Sequence, residues 1–173
     1  MSAFTVRRTR VMAASAATLV LVVAAAGVAA AFTFTRSGGA VTAVRVVAAN
    51  DVVTTLSSTW KNVPDSSTVL KVADGQRALL LITLSASSIC HYDSTCLIRA
   101  VVDGANLATP GEVIFDEGPG IAGVEEAHSM QFASENLGPG DHQVVIQYRV
   151  LTSDTQQFVL RDRTLTVLRS KVN

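Results

Sequence analysis

Apolar and polar residues alternate along the C-terminal part of this chain, and this two-residue rhythm limits the folds that the chain can adopt. The clearest stretch covers residues 143–150, where every second residue is apolar: Val144, Ile146, Tyr148 and Val150. The residues of the opposite face include Gln143, Gln147 and Arg149. Because successive side chains of a β-strand point to opposite sides of the sheet, this pattern predicts a strand with one buried face.

Other apolar runs are separated by turn-forming residues. These runs cover residues 55–61, 68–72, 77–86, 97–102, 113–115, 127–134 and 158–168. Gly, Pro, Asp and Asn cluster between them, and no stretch has the period of an amphipathic helix. The pattern predicts an all-β domain, namely a β-sandwich or jelly roll of about seven to nine antiparallel strands.

The composition of two of these runs predicts the kind of strand that each one forms. Residues 77–86 are apolar at nearly every position, which is typical of a central strand covered on both faces. Residues 158–168 contain Arg161, Asp162 and Arg163 between two apolar halves, which predicts a bend or β-bulge. We expect the following residues in the core: Trp60, Leu80, Ile82, Leu84, Val101, Phe115, Met130, Phe132, Ile146, Tyr148, Val150, Leu165 and Val167.

The N-terminal segment has the features of a targeting signal. Arginines among the first ten residues precede an uncharged stretch, residues 11–35, and residues 29–31 are all Ala. This order predicts a secretory signal peptide over residues 1–31, cut after its small residues. The alternative is an uncleaved membrane anchor, since a helix over residues 11–35 would reach about 37 Å and the hydrocarbon core is ~30 Å thick. Both interpretations place the following domain outside the cytoplasm, in the cell envelope or the extracellular space.

Residues 32–52 are interpreted as a linker and residues 53–173 as the β-sandwich domain. Ser37, Gly38 and Gly39 give the linker a flexible composition. The alternative is a weak first strand formed by the valines of this segment: Val41, Val44, Val46 and Val47.

The charges beyond the leader exclude one class of partner. Residues 32–173 contain 11 Lys and Arg against 14 Asp and Glu, which gives a net charge of −3. Because binding to phosphate backbones requires concentrated positive charge, nucleic acid is not an expected partner.

The cysteines, Cys90 and Cys96, both lie in the exported part. An even number of cysteines in an oxidising compartment predicts a disulfide. The alternative is a metal site formed with His91 and Asp93, although ligands at such short spacing rarely converge tetrahedrally. The Cys-x-x-Cys spacing of thiol exchange is absent.

No recognised catalytic motif occurs in the sequence, whether a Gly-x-Ser-x-Gly elbow, a His-Glu-x-x-His helix or a phosphate-binding loop. The alternation places His128 on an apolar face, which predicts a core or rim histidine. His142 follows Asp141 at a strand entrance, which favours a turn-capping role. We therefore expect no enzymatic activity and no cofactor. The alternative is a secreted hydrolase whose Ser, His and Asp converge from distant strands.

A Gly-rich stretch at residues 118–123 is flanked by acidic residues, and this segment is a candidate binding loop. The acidic residues are Asp116, Glu117, Glu125 and Glu126. Carboxylates are ligands for Ca²⁺, but pairs of this kind usually remain solvated, so no metal ion is predicted here. We expect this loop and the disulfide ring at one end of the sandwich, where binding surfaces commonly form.

Residues 73–81, 128–132 and 137–144 carry a resemblance to known proteins. Their sequences are ADGQRALLL, HSMQF and LGPGDHQV. They resemble small secreted actinobacterial β-sandwich proteins of uncharacterised function, and they are similar to jelly-roll heads of the complement C1q and tumour-necrosis-factor type. The resemblance covers residues 55–168. It implies a module that binds partners and forms a homo-oligomer, and it assigns no functional residue.

The sequence as a whole thus predicts a secreted or cell-envelope, non-enzymatic binding or structural module. Its expected partner is a protein or a glycan, with residues 11–35 as a membrane tether if the leader is retained. A secreted hydrolase with a site not recognisable from the sequence is the alternative function.

Overall fold

The computed structural model describes residues 40–91, 94–118, 124–151 and 157–172. The predicted signal peptide and membrane tether lie outside the described residues. The described residues form β-strands and no helix, and accordingly they contain no helix able to cross a membrane. The strands are β1 (Val41–Ala49), β2 (Val53–Thr55), β3 (Lys61–Val72), β4 (Arg77–Cys90), β5 (Thr95–Val102), β6 (Asn106–Leu107), β7 (Val113–Glu117), β8 (Glu126–Leu137), β9 (Gly140–Val150) and β10 (Phe158–Val172).

These strands form two antiparallel sheets. The first sheet has the order β1-β10-β4-β8, and β2 also pairs with β10. The second sheet has the order β3-β9-β5-β6, and β7 also pairs with β5. The chain changes sheet at every step from β3 to β5 and again from β8 to β10. The predicted all-β class is confirmed, and the arrangement is consistent with a β-sandwich.

One hydrophobic core lies between the sheets, formed by the alternate residues that point inward. Leu80, Ile82 and Leu84 of β4 are fully buried, as are Ile146 and Val150 of β9. The other predicted core residues are also buried, apart from Met130, which packs at the margin, and Trp60. Val101 is buried outside this core, on the face of β5 opposite to Ile98 and Val102. The two-residue rhythm therefore predicts the interior well.

The position of Trp60 corrects the prediction that it belongs to the core. Residues 56–60 do not continue a strand, because Ser57 Oγ donates to the Thr59 carbonyl at 2.7 Å and the Ser57 hydroxyl also accepts from the Thr59 amide. Trp60 follows this turn and lies half-buried on the outside of the second sheet. Its indole needs a hydrogen-bond acceptor, which the apolar interior does not offer and the surface does.

The segment interpreted as a linker, residues 32–52, contains β1. Val41–Ala49 pairs with the C-terminal half of β10, and β2 pairs with the N-terminal end of the same strand. The physical reason is the length of β10, which would otherwise present a long unpaired edge. The alternative of a first strand built on valines is therefore the correct one, and the domain begins before residue 53.

The bulge predicted near the charged triplet is present in β10. Its pairing with β4 shifts between Arg161 and Thr164, and Asp162 has a φ of 45°. The irregularity turns Arg163 inward, where it is 1% exposed. Its guanidinium donates to the Asp51 carboxylate at 2.6 Å and to the Asp51 carbonyl at 2.7 Å. The charge is thus buried only because β10 and the β1–β2 connection supply its partners.

Candidate functional site

The outer face of the first sheet is uncharged over three neighbouring rows. In each row the strand register aligns one residue from β1, β10, β4 and β8. The first row is Val44, Leu168, Leu81 and Ala133; the second is Val46, Thr166, Thr83 and Gln131; the third is Ala48, Thr164, Ser85 and Ser129. We call this set the uncharged face. Its valines are open to solvent, since Val44 is 49% and Val46 is 60% exposed.

The outer face of the second sheet is charged. The guanidinium carbons of Arg99 and Arg149 lie 4.3 Å and 4.7 Å from the ring centre of Trp60. Glu112 accepts hydrogen bonds from the Trp60 indole at 3.2 Å and from Arg149 at 3.0 Å. Cation–π contacts and hydrogen bonds therefore occupy the single tryptophan of the chain.

A second cluster lies where β7 and β8, the neighbouring margins of the two sheets, face each other. Going along β8, the inward positions change from Phe132 and Met130 to His128 and Glu126. Asp116 of β7 approaches them from the other sheet. An inward column that ends in ionisable groups differs from the apolar columns elsewhere in the core. We call Asp116, Glu126 and His128 the Asp–Glu–His cluster.

The distances in this cluster are short enough for a shared ligand. His128 Nε2 lies 3.6 Å from Glu126 Oε2 and 4.0 Å from Asp116 Oδ1. One ligand atom from each residue can be chosen so that all three lie within 4.8 Å of one another. Burial is graded, because the side chains of Asp116, His128 and Glu126 are 7%, 27% and 62% exposed.

Ser88 adds a hydroxyl beside the cluster, but not in the arrangement of a hydrolase. Its Oγ donates to Asp116 Oδ2 at 2.6 Å. In a Ser-His-Asp relay the hydroxyl donates to the histidine, which removes its proton. Ser88 is also 1% exposed, so its oxygen cannot reach a substrate in this conformation. The geometry therefore gives the hydrolase alternative no nucleophile at this position.

The four residues of the predicted binding loop separate into two groups. Asp116 and Glu126 come together, whereas Glu125 forms an ion pair with Arg161 at 3.3 Å and Glu117 is exposed at the end of β7. The third member of the cluster, His128, was predictable as a neighbour of Glu126, since residues two apart on a strand share a face. Its proximity to Asp116 depends on the packing of the two sheets.

The predicted disulfide between Cys90 and Cys96 is present, and it connects the sheets close to this cluster. Cys90 ends β4 in the first sheet, while Cys96 lies in β5 of the second and pairs with Asp116 across the strand ladder. Both cysteines are oxidised, so the alternative of a thiolate metal site does not apply. The Gly118 amide also donates to the Ser94 carbonyl at 2.9 Å, which places the described start of the acidic loop beside the disulfide ring.

His142 occupies the opposite end of the sandwich and has the turn-holding position that its sequence context predicts. Its Nδ1 lies 2.7 Å from Asp103 Oδ2, and its Nε2 lies 2.8 Å from the Gly138 carbonyl. Burial lowers the pKa of His142, but the hydrogen bonds and the charges of Asp103 and Asp141 outweigh this effect, so its pKa is raised. The imidazole thus joins two turns and favours its charged form.

No protein-family model and no curated protein matches this chain.

Proposed function

We propose that this protein is an exported, non-enzymatic binding module of jelly-roll type that self-associates through the uncharged face. The observation that carries the proposal is the run of three adjacent rows without a charge on the outside of the first sheet. The outside of the second sheet instead carries Arg99, Arg149 and Glu112. Such a difference suits a domain with one side in water and the other against a protein surface.

The size of the uncharged face fits the centre of an interface. Each position on a sheet face occupies about 33 Å², from a strand spacing of ~4.8 Å and ~6.8 Å between alternate residues, so the whole set covers about 400 Å². A standard interface buries about 800 Å² on each partner, with its centre less charged than its rim. The uncharged face supplies this centre, and residues around it supply the rim.

A second copy of the chain is the partner that this face fits best. An uncharged surface can meet itself across a symmetry axis without placing like charges in contact. Thr83 and Thr166 lie in its middle row and offer hydroxyl groups for hydrogen bonds across the contact. The resemblance to C1q-type heads, which usually form trimers, supports self-association in general, whereas a face that meets itself gives a dimer.

A glycan partner receives less support from the described residues. Sugars are commonly bound by stacking on an open aromatic face, and the single tryptophan, Trp60, has two guanidinium groups over its ring. We therefore favour protein over glycan as the ligand of this module.

Export is supported by the disulfide and by the sequence of the leader. A disulfide between Cys90 and Cys96 persists in an oxidising compartment. The signal peptide at residues 1–31 and the alternative tether at residues 11–35 remain predictions. The intact mass of the protein recovered from medium and envelope fractions tests both, because removal of residues 1–31 and oxidation of the thiols each give a defined mass change.

Self-association is tested by measuring molar mass in solution with light scattering after size-exclusion chromatography. Val46→Lys introduces a charge into the uncharged face, and we expect it to convert the oligomer into monomer. Val69→Lys is the matched control, because Val69 is also an exposed valine at 49%, but it lies on β3 of the second sheet. A wild-type chain that is still monomeric at a concentration on the order of 1 mM, where even a contact with a Kd of about 1 mM is populated, would contradict the proposal. So would equal masses for wild type and Val46→Lys.

A further inference from the structure

We propose that the Asp–Glu–His cluster is a binding site for a divalent transition-metal ion of the Zn²⁺ class. This site is separate from the uncharged face, since its residues point between the sheets at the margin formed by β7 and β8. The proposal does not depend on self-association.

His128 presents an unpartnered ring nitrogen to this cluster. Its Nε2 is almost completely shielded from solvent and has no hydrogen-bond partner among the described residues. It faces carboxylate oxygens of Glu126 at 3.6 Å and Asp116 at 4.0 Å, which are too distant for hydrogen bonds. A nitrogen that is shielded, unbonded and turned toward two carboxylates is arranged as a ligand for a cation held between the three groups.

Asp116 is a buried carboxylate held in one orientation. Its side chain is 7% exposed, yet no lysine or arginine of the described residues forms an ion pair with it. Ser88 donates to Oδ2 at 2.6 Å, and this hydrogen bond fixes the carboxylate with Oδ1 toward His128. Hydrogen bonds that orient a ligand in this way are a regular feature of metal sites. A bound cation would also supply the positive charge that this buried carboxylate lacks.

The donor set selects the class of metal. Ca²⁺ and Mg²⁺ prefer sites made only of oxygen ligands, whereas imidazole suits Zn²⁺ and its transition-metal neighbours. Tetrahedral Zn²⁺ with bonds of ~2.0 Å holds its ligand atoms about 3.3 Å apart. The observed separations of 3.6 Å and 4.0 Å need only small side-chain movements to reach this value. Glu126, whose side chain is 62% exposed, can shorten the first, and the second requires His128, which is 27% exposed, to move toward Asp116. A fourth position is left for water on the exposed side.

Such an ion would tie the two sheets together at this margin. Asp116 belongs to β7 of the second sheet, and Glu126 and His128 belong to β8 of the first. These strands pair with β5 and β4 and not with each other. The ion would therefore join strands that no backbone ladder connects, close to the point where Cys90 and Cys96 join β4 to β5.

Isothermal titration of the full-length chain, in mild detergent, with ZnCl₂ tests the proposal. We expect one Zn²⁺ per chain, and we expect both His128→Gln and Glu126→Gln to weaken binding at least tenfold. Glu125→Gln is the matched control, because it removes the same charge from the neighbouring residue, whose carboxylate pairs with Arg161. This variant should bind Zn²⁺ as the wild type does. Replacing Zn²⁺ by Co²⁺ gives a second readout, an absorption band in the visible that His128→Gln should change.

Several outcomes would overturn the assignment. Wild-type affinity in both Glu126→Gln and His128→Gln would show that any bound zinc lies elsewhere, for example at His142. Ca²⁺ binding as tight as Zn²⁺ binding would show a carboxylate site in which His128 takes no part. Absence of 1:1 binding in the wild type would also refute it. If circular dichroism shows that His128→Gln is unfolded, Glu126→Gln decides the question, since Glu126 is exposed and its loss leaves the core intact.

Discussion

Reduction of the Cys90–Cys96 disulfide should destabilise the domain by an amount that its ring size determines. The cysteines are six positions apart, so the closed ring has seven residues. On the chain-entropy model, opening a ring of this size costs about 2.4 kcal/mol of unfolding free energy. For a domain of about 130 residues, with an unfolding entropy near 2.1 cal/mol/K per residue, this corresponds to a fall in Tm of about 9 °C.

The assay is thermal unfolding followed by circular dichroism, on oxidised protein and on protein refolded with its thiols reduced. The double variant Cys90→Ala/Cys96→Ala extends the series, because both side chains are buried and truncating each one costs about 1 kcal/mol more. The expected order of Tm is oxidised, then reduced, then the double variant. Equal Tm for oxidised and reduced protein would refute the reasoning, since it would mean that the ring adds no constraint to the unfolded chain.

Two further predictions concern charged groups away from the uncharged face. Because the folded-state pKa of His142 is raised above its ordinary value of about 6.5, its contribution to stability is complete below that pH and is lost as the pH rises through the raised value. Urea midpoints measured between about pH 5.5 and 8 should therefore fall more steeply for wild type than for His142→Gln, and parallel profiles would contradict this. Asp51→Ala should cost about 2 kcal/mol because it leaves the buried guanidinium of Arg163 short of a partner, whereas Arg163→Met should change stability by less than about 1 kcal/mol. Denaturant unfolding of the two variants checks this asymmetry, and the reverse order would show that the ion pair itself stabilises the fold.

The strands with one buried face were predictable because apolar and polar residues alternate along them. In β9, Ile146 and Val150 are fully buried and Gln147 is not, as the alternation requires. The first strand gives no such signal. It lies at the edge of its sheet, with Val44 and Val46 facing solvent and only Val47 among the valines packing on the core, so its composition resembles a linker. What identifies it as a strand is the partner β10, more than a hundred residues away.

The candidate sites depended on similar long-range information. The large apolar ring of Trp60 favours the core, but its environment consists of Arg99, Arg149 and Glu112, which reach it from distant parts of the chain. Asp116 and Glu126 were identifiable from the sequence as part of a candidate binding loop. Their approach to His128, and the pairing of Glu125 with Arg161, depend on how the two sheets pack. Period-two patterns report which side of a strand is buried and carry no information about which strand lies opposite.

The position of β10 has a consequence for the order of folding. β10 is the last of the described strands in chain order, yet it lies between β1 and β4 in the first sheet. Before β10 pairs, β4 therefore has one open edge, and β1 and β2 lack their strand partner. Strand pairs that are far apart in sequence form slowly, because closing the long loop between them costs conformational entropy before any stabilising contact forms. The first sheet is therefore incomplete until β10 has paired, and loss of β10 would leave β4 with an aggregation-prone edge.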